Sequence, residues 1–244
     1  MKNFMHNQHP LVQLGILLGG SFLVAVIISM GVLFRIRASN DVVSVTGSAK
    51  MEVTSDQAKW TTQVTRTVYE SDLKSGYSQI ASDAQKARAY LLAQGITEDE
   101  LTVTPVSMFE VYQQDSAAPK RYTLSQTFTV QSTDVEKLTR ASNNLSPIIN
   151  QGVIFSSLSL EYYYSKLPEA RIQLLSQAID DAKARAAELA KNSGSKVGSL
   201  KSATSGVVQV QSRNSTDVSD YGSYDTSQIE KQITVTVKAT FSLR

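Results

Sequence analysis

The sequence predicts an α+β fold, in which duplicated β-α-β-β units form a largely antiparallel sheet with helices packed on one face, preceded by one N-terminal transmembrane helix. Three observations carry that expectation. Leu11 to Phe34 is an uncharged run whose only strongly polar side chain is Gln13. Downstream, stretches of two-residue alternation rich in β-branched residues exchange with stretches of 3.6-residue period. Finally, the tetrapeptide KARA stands at Lys86 to Ala89 and again at Lys183 to Ala186, 97 residues on (183 − 86).

Composition narrows the chemistry. A chain of 244 residues is long enough for one large domain or two small ones without covalent staples. It has no cysteine, which excludes disulfides, thiol nucleophiles and thiolate metal sites. Its two histidines, His6 and His9, precede the apolar run, so the body lacks the usual base and metal ligand of neutral pH. Of 24 basic residues, Lys2, Arg35 and Arg37 precede the first acid, Asp41, leaving 21 against 22 acids in the body. So neutral a body offers no basic face to a phosphate backbone, and no nucleic-acid partner or cofactor is expected.

The elements follow in order. After a short tail, residues 1–10, the run 11–34 would span about 36 Å as a helix, enough for the roughly 30 Å bilayer core. The rival reading is a cleaved signal peptide, but its apolar region is shorter, about 7–15 residues, and Ile36-Arg37-Ala38 is a poor cleavage site. Arg35 and Arg37, set against Lys2, lean weakly towards a cytoplasmic body by the positive-inside rule. Gly15, Gly19, Ser21, Ala25 and Ser29 would give one helix face a close approach to a second helix, although small residues are common in membrane helices anyway.

A linker, 35–40, leads to the body, 41–244, with pseudo-repeat halves at about 41–132 and 147–244. Asp41 to Thr46 alternates and meets Gly47, a strand into a turn. Lys59 to Tyr69 is a strand with Trp60, Thr62, Val64, Arg66 and Val68 on one face and a mostly polar other face. Leu73, Tyr77, Ile80, Ala84, Ala87 and Leu91 form the stripe of an amphipathic helix ending at Gly95. Strands over Leu101 to Tyr112 and Tyr122 to Gln131 follow, then a short helix from Asp134 to Leu145 and a strand from Val153 to Tyr163. Pro168 opens a second long helix with the stripe Ile172, Leu175, Ile179, Ala182, Ala186 and Leu189, before strands at Leu200 to Gln211 and Ile229 to Leu243. Each half thus reads strand, KARA helix, strand, strand, which an internal duplication explains.

Few residues offer catalysis. Serines and lysines are abundant but unplaced relative to one another, and Glu98-Asp99-Glu100 reads as a charged turn. Asp217, Asp220 and Asp225 could supply oxygens to calcium, but their spacing fits no calcium loop and a flexible loop explains them better. Asn192 to Gly198 lacks the order of a phosphate loop. Tyr162, Tyr163 and Tyr164 place aromatics on both faces of a strand, which fits internal packing or a subunit interface.

Asp41 to Val64, the Asp83-to-Gly95 helix with Ile96 to Thr104, Gln126 to Gln131, Gly152-Val153-Ile154, the AKARAAELA helix and the closing ITVTVKATFSL resemble the SIMPL-domain family over nearly all of residues 41–244. That family includes bacterial periplasmic immunogenic proteins and proteins linked to oxidative-stress defence, and some members assemble into hollow, channel-like rings. The resemblance implies no catalytic residues. It implies a homo-oligomeric, non-enzymatic envelope protein with its body on the periplasmic side and an envelope partner of unknown identity; many members carry a cleavable signal peptide, and this chain departs from them in reading as anchored in the inner membrane through 11–34. A second expectation is a binding module that captures a peptide, glycan or protein through the sheet or the 212–227 loop, whose Ser, Tyr, Gly and Asp content makes adaptable polar contacts.

Overall fold

The computed structural model of the chain describes residues 10–38, 41–115, 117–215 and 219–244. The tail with His6 and His9, linker residues 39 and 40, and Asp217 lie outside the described residues. The fold is mixed α+β, with two five-stranded sheets and five helices among the described residues. Helix α1, Pro10–Ala38, contains the 19-residue apolar span Leu14–Val32, every residue of which is exposed. The chain divides between two compact units.

The larger unit comprises Lys50–Leu174 and Val207–Val235. It holds the first sheet, built from β2 (Gln57–Tyr69), β3 (Leu101–Val103), β4 (Ser107–Glu110), β5 (Arg121–Ser132) and β6 (Phe155–Tyr163). Its order is β3-β5-β2-β6, with β4 also on β5, and every pair is antiparallel. Alternation fixes the faces. Ala58, Trp60 and Val64 of β2, with Leu124, Phe128 and Val130 of β5, point inward beneath α2 (Leu73–Ala93), α3 (Val135–Asn143) and α4 (Ser146–Ile149), meeting Ile80, Ala87, Leu91, Leu138 and Ile148. Trp60, fully buried, still satisfies its indole by donating Nε1–H to Ser157 Oγ at 2.8 Å.

The smaller unit, Met1–Ala49, Leu175–Gly206 and Thr236–Arg244, is built on a close approach of strand and helix. Val45 of β1 (Val42–Thr54) and Val237, Ala239 and Phe241 of β10 (Glu230–Leu243) pack on Ala178, Ala182 and Ala186 of α5 (Leu167–Asn192). A Cβ at Gly47 would lie 2.1 Å from the carbonyl oxygen of Ala178 and 2.5 Å from the amide nitrogen of Ala182, so glycine is required for the backbones to approach. The second sheet has the order β1-β10-β8-β9, with β7 (Val197–Ser205) also on β10. Strands β8 (Gln209–Ser212) and β9 (Ser223–Tyr224) form a parallel pair.

Several expectations change. One shared sheet becomes two, because strand pairing joins residues far apart in the chain and local alternation does not specify partners. Gly47 lies inside β1 and makes no turn. The expected strand Leu101 to Tyr112 breaks around Pro105 into β3 and β4, and Leu200 to Gln211 gives way to β7 and β8, broken after Gly206. Thr104 and Gly206 sit at these breaks, and each donates its amide to a carbonyl of the neighbouring long strand, Thr127 O at 3.0 Å and Thr236 O at 2.8 Å. The expected stripes hold at Ile80, Ala87 and Leu91 in α2 and at Ala182 and Ala186 in α5, and shift elsewhere. Tyr77, Ile172 and Leu189 are exposed, whereas Asp83 and Tyr90 in α2 and Ala170, Leu174, Ala178 and Ala190 in α5 are buried. KARA itself presents different faces, with Ala87 buried in the first copy and Ala186 in the second. Three buried positions of α2, Asp83, Ala87 and Leu91, have buried counterparts 99 residues on (186 − 87, 190 − 91), the separation of Leu101 and Leu200, whereas Tyr90 falls against the exposed Leu189.

Candidate functional site

On α1, a Cβ added at Gly15 or Gly19 would meet nothing within 4 Å, and Ser21, Ala25 and Ser29 are exposed with them. Ser21 Oγ donates to the Leu18 carbonyl at 3.0 Å, the usual way a hydroxyl is satisfied inside an apolar helix. These five residues therefore line a helix surface that no other described residue covers.

The tyrosines of β6 divide by face. Tyr162 is 6 % exposed and shares a 2.9 Å hydrogen bond between its hydroxyl and Thr139 Oγ1, so it belongs to the core beneath α3 and is not available at a surface. Tyr163 points the other way. Its ring lies 5.9 Å from that of Tyr224, at 32°, and the Tyr164 amide donates to the Tyr224 hydroxyl at 2.8 Å. The β6 tyrosines and the 212–227 loop, two separate features of the sequence, thus meet at one place.

What holds Tyr224 there is a buried lysine. Lys231 is 1 % exposed, and its ammonium donates to the carbonyls of Asp225 and of Gln228, the latter at 2.7 Å, with the Tyr224 ring centroid 5.6 Å away. Burial pushes the Lys231 ammonium below its ordinary pKa, and the Asp225 charge opposes this. Asp225 accepts from the Ser227 amide at 2.8 Å and from its hydroxyl at 2.7 Å, which hold the carboxyl below its usual range. Asp225 is therefore engaged within its own turn, while Tyr221 stands 97 % exposed.

Beside Tyr163 the open sheet face forms a cleft of 410 Å³ lined by Gln57, Ala58, Lys59, Gln131, Ser132, Thr133 and Tyr163. Register places them. Across β2 and β6, Gln57 opposes Tyr163 and Lys59 opposes Glu161, while Lys59 opposes Gln131 of β5. Lys59 Nζ lies 3.5 Å from Glu161 Oε2, so the charges in the cleft balance. The side-chain amides of Gln57 and Gln131 have no hydrogen-bond partner among the described residues. Burial raises the Tyr163 phenol, and the neighbouring Glu161 charge adds to the rise, so the hydroxyl stays protonated. Below the cleft, burial alone would raise the Asp56 carboxyl, but the hydroxyl and amide of Ser165, at 2.6 and 2.7 Å, hold it down and fix the start of the segment leading to α5.

Other sequence candidates are placed elsewhere. Glu98 pairs with Arg88, and Glu100 with Lys137 at 2.9 Å, so that acidic run is divided between two ion pairs. Asn192 to Gly198 closes α5, with Gly194 at φ +73 as its stop, and forms no cradle that opens a helix. Among the described residues no three His, Cys, Asp or Glu side chains group as metal ligands. Sequence reasoning missed Gln57, Lys59 and Gln131. The available signal was the polar alternate face of Lys59 to Tyr69, continued in register by Gln131, Thr129 and Thr127 of β5.

Comparison with known proteins gives one family. The family model of SIMPL, described as a protein of unknown function (DUF541), matches residues 43–241, nearly the whole body and none of α1. No curated protein matches the chain.

Proposed function

Because the chain belongs to the SIMPL family, we propose that it is a non-enzymatic, membrane-anchored envelope protein that works as a homo-oligomer with its body on the periplasmic side of the inner membrane. The observation that carries this reading is α1: a 19-residue apolar span, fully exposed, ahead of a folded α+β body. An anchor explains that exposure, since a water-soluble chain would bury so much apolar surface. Membership of the family supports a periplasmic-type body, against the weak bias of Arg35 and Arg37. Lack of cysteine and of histidine after His9 supports a non-enzymatic role. The small-residue face of Gly15, Gly19, Ser21, Ala25 and Ser29 supports helix association within the bilayer, and a ring or channel-like assembly with a part in envelope or oxidative stress follows the family resemblance.

We read the body as an internal duplication. In support, β5 and β10 each pair with two successive strands broken at Thr104 to Val106 and at Gly206 to Val208, and the buried Asp83, Ala87 and Leu91 of α2 recur 99 residues on as the buried Ala182, Ala186 and Ala190 of α5.

Alkaline extraction of membranes tests the anchor: retention in the pellet is expected, and release of the intact chain would overturn it. Mass photometry of the solubilised protein tests assembly, where a clean monomer refutes it and Gly15→Leu with Gly19→Leu should lower the oligomer mass.

A second reading is favoured by the meeting of Tyr163 with Tyr224: the body is a binding module acting through the sheet and the 212–227 loop. Deleting 212–226 should then abolish capture of an envelope partner while sparing the fold.

A further inference from the structure

We propose that the cleft beside Tyr163 is a sugar site, taking one pyranose ring of a linear, uncharged, N-acetylated glycan. The inference rests on the binding reading above and names its ligand. A sugar ring presents an apolar face of C–H groups and a rim of hydroxyls, so its sites combine an aromatic ring with planar hydrogen-bonding groups at the edge. The cleft has both. Tyr163 lines it with its ring backed by Tyr224 at 5.9 Å, and Tyr224 is fixed in turn by the Tyr164 amide and the buried Lys231. The aromatic surface is therefore ordered before any ligand arrives, which lowers the entropy cost of binding.

Around that ring, Gln57 and Gln131 bring two side-chain amides with no partner among the described residues. Each offers donors and an acceptor together, the pattern that matches neighbouring hydroxyls or an N-acetyl amide. They stand on adjacent strands two residues out of register, Gln131 opposing Lys59, a diagonal pair about 7–8 Å apart that the hydroxyl rim of one sugar ring can bridge. Lys59 and Glu161 add a donor and an acceptor of opposite charge at 3.5 Å, and their balance disfavours a phosphorylated or polyanionic ligand. Competing occupants fit less well. A peptide that extends a sheet uses a free edge, whereas this cleft lies on the face formed by β5, β2 and β6, and apart from Tyr163 only Ala58 among its lining residues is apolar. Away from the cleft the same face continues with Thr61, Thr129 and Gln63, a polar strip along which further sugar units could lie.

The test uses the full chain in lipid nanodiscs, because glycoside detergents would compete. The N-acetylglucosamine tetramer is titrated by calorimetry, with saturation-transfer NMR to identify the contacted ring and a glucose tetramer for comparison. Binding in the micromolar-to-millimolar range with preference for the N-acetylated chain is expected. Tyr163→Ala should weaken it about tenfold, near 1.4 kcal/mol, Gln57→Ala with Gln131→Ala by a similar factor, and Tyr163→Phe should retain most of the affinity. Gln57 and Gln131 have no side-chain partner among the described residues, so their variants test the site even where Tyr163→Ala perturbs folding. No binding at about 10 mM tetramer, a weaker affinity than about −3 kcal/mol, overturns the proposal. So does binding that both sets of variants leave unchanged, stronger binding of polyphosphate, or a Gln57→Cys disulfide to a second copy that shows the face covered by the assembly. Partner capture lost on deleting 212–226, with no glycan bound, overturns the sugar site and leaves the binding reading standing.

Discussion

Asp83 is 2 % exposed on the inward face of α2, and only a partner makes that position tolerable. Arg66 of β2 supplies it, donating Nε–H to Oδ2 and Nη2–H to Oδ1 at 3.1 Å, with Nη2 also 3.4 Å from the Gly152 carbonyl. Removing the carboxylate would leave the guanidinium unpaired against the core. Asp83→Ala should destabilise the larger unit by about 3 kcal/mol, the lower end of the range for broken buried pairs because Arg66 keeps some solvent. Trp60, the single tryptophan and fully buried, gives the fluorescence signal for that measurement in urea. Glu100 titrates more simply. Burial alone would raise its carboxyl, but the Lys137 ammonium, the Ser132 hydroxyl and the Thr97 amide hold it down from 4.5 to about 2. A depressed carboxyl stabilises the folded state above its unfolded value and loses that contribution as pH falls through the folded value. Stability should therefore drop by up to about 3 kcal/mol between pH 4.5 and 2. Urea midpoints of Glu100→Gln should be flatter over the same interval; parallel curves for the two proteins would contradict this. Neither partner was legible in the sequence, because Arg66 to Asp83 and Glu100 to Lys137 are contacts between elements whose packing local periodicity does not specify.

At the scale of the element, α2 and α5 were both recognisable, and the buried face of α2 held at Ile80, Ala87 and Leu91, whereas that of α5 was only partly legible. Large aliphatic residues dominate a periodicity, and in α5 they pointed to Ile172 and Leu189, which the structure leaves 73 % and 54 % exposed. The contact runs through Ala178 together with Ala182 and Ala186 of the expected stripe, one residue every four, because β1 comes so near at Gly47 that only small side chains fit. Gly47→Ala should cost about 3 kcal/mol or more, since the new Cβ meets backbone atoms that cannot rotate away. Hydrogen exchange should locate the loss in β1 and the 175–192 segment of α5, and an unchanged exchange pattern would refute the close-packing argument. Across that junction the Asp181 carboxylate accepts from the Ser48 amide and from Arg185 Nε, each at 2.8 Å. Asp181→Ala should cost less than Gly47→Ala, because water can replace what an exposed carboxylate gives up, whereas a backbone clash has no such relief. Strands were located more securely than helix faces: alternation put Trp60, Thr62 and Val64 on one side of β2, and the register with β5 keeps them there.

For the whole molecule, deleting residues 1–40 should release the body from membranes with its circular dichroism intact, because the described α1 residues Leu14–Val32 are exposed and contribute nothing to either hydrophobic core. Loss of the folded signal on that deletion would mean α1 is structural. The apolar span, the α+β class, the order of strands and helices and the likeness to the SIMPL family were all determined by the sequence alone. Each depends on composition or on periods within one element, which the chain carries locally. Tertiary structure decided the rest: that the strands divide into two sheets, that Tyr162 enters the core while Tyr163 meets Tyr224, and that Gln57, Lys59 and Gln131 converge on one cleft. Those outcomes depend on register between strands tens of residues apart. Side-chain faces alternate every residue, so a single step of register exchanges what is buried for what is offered to a ligand.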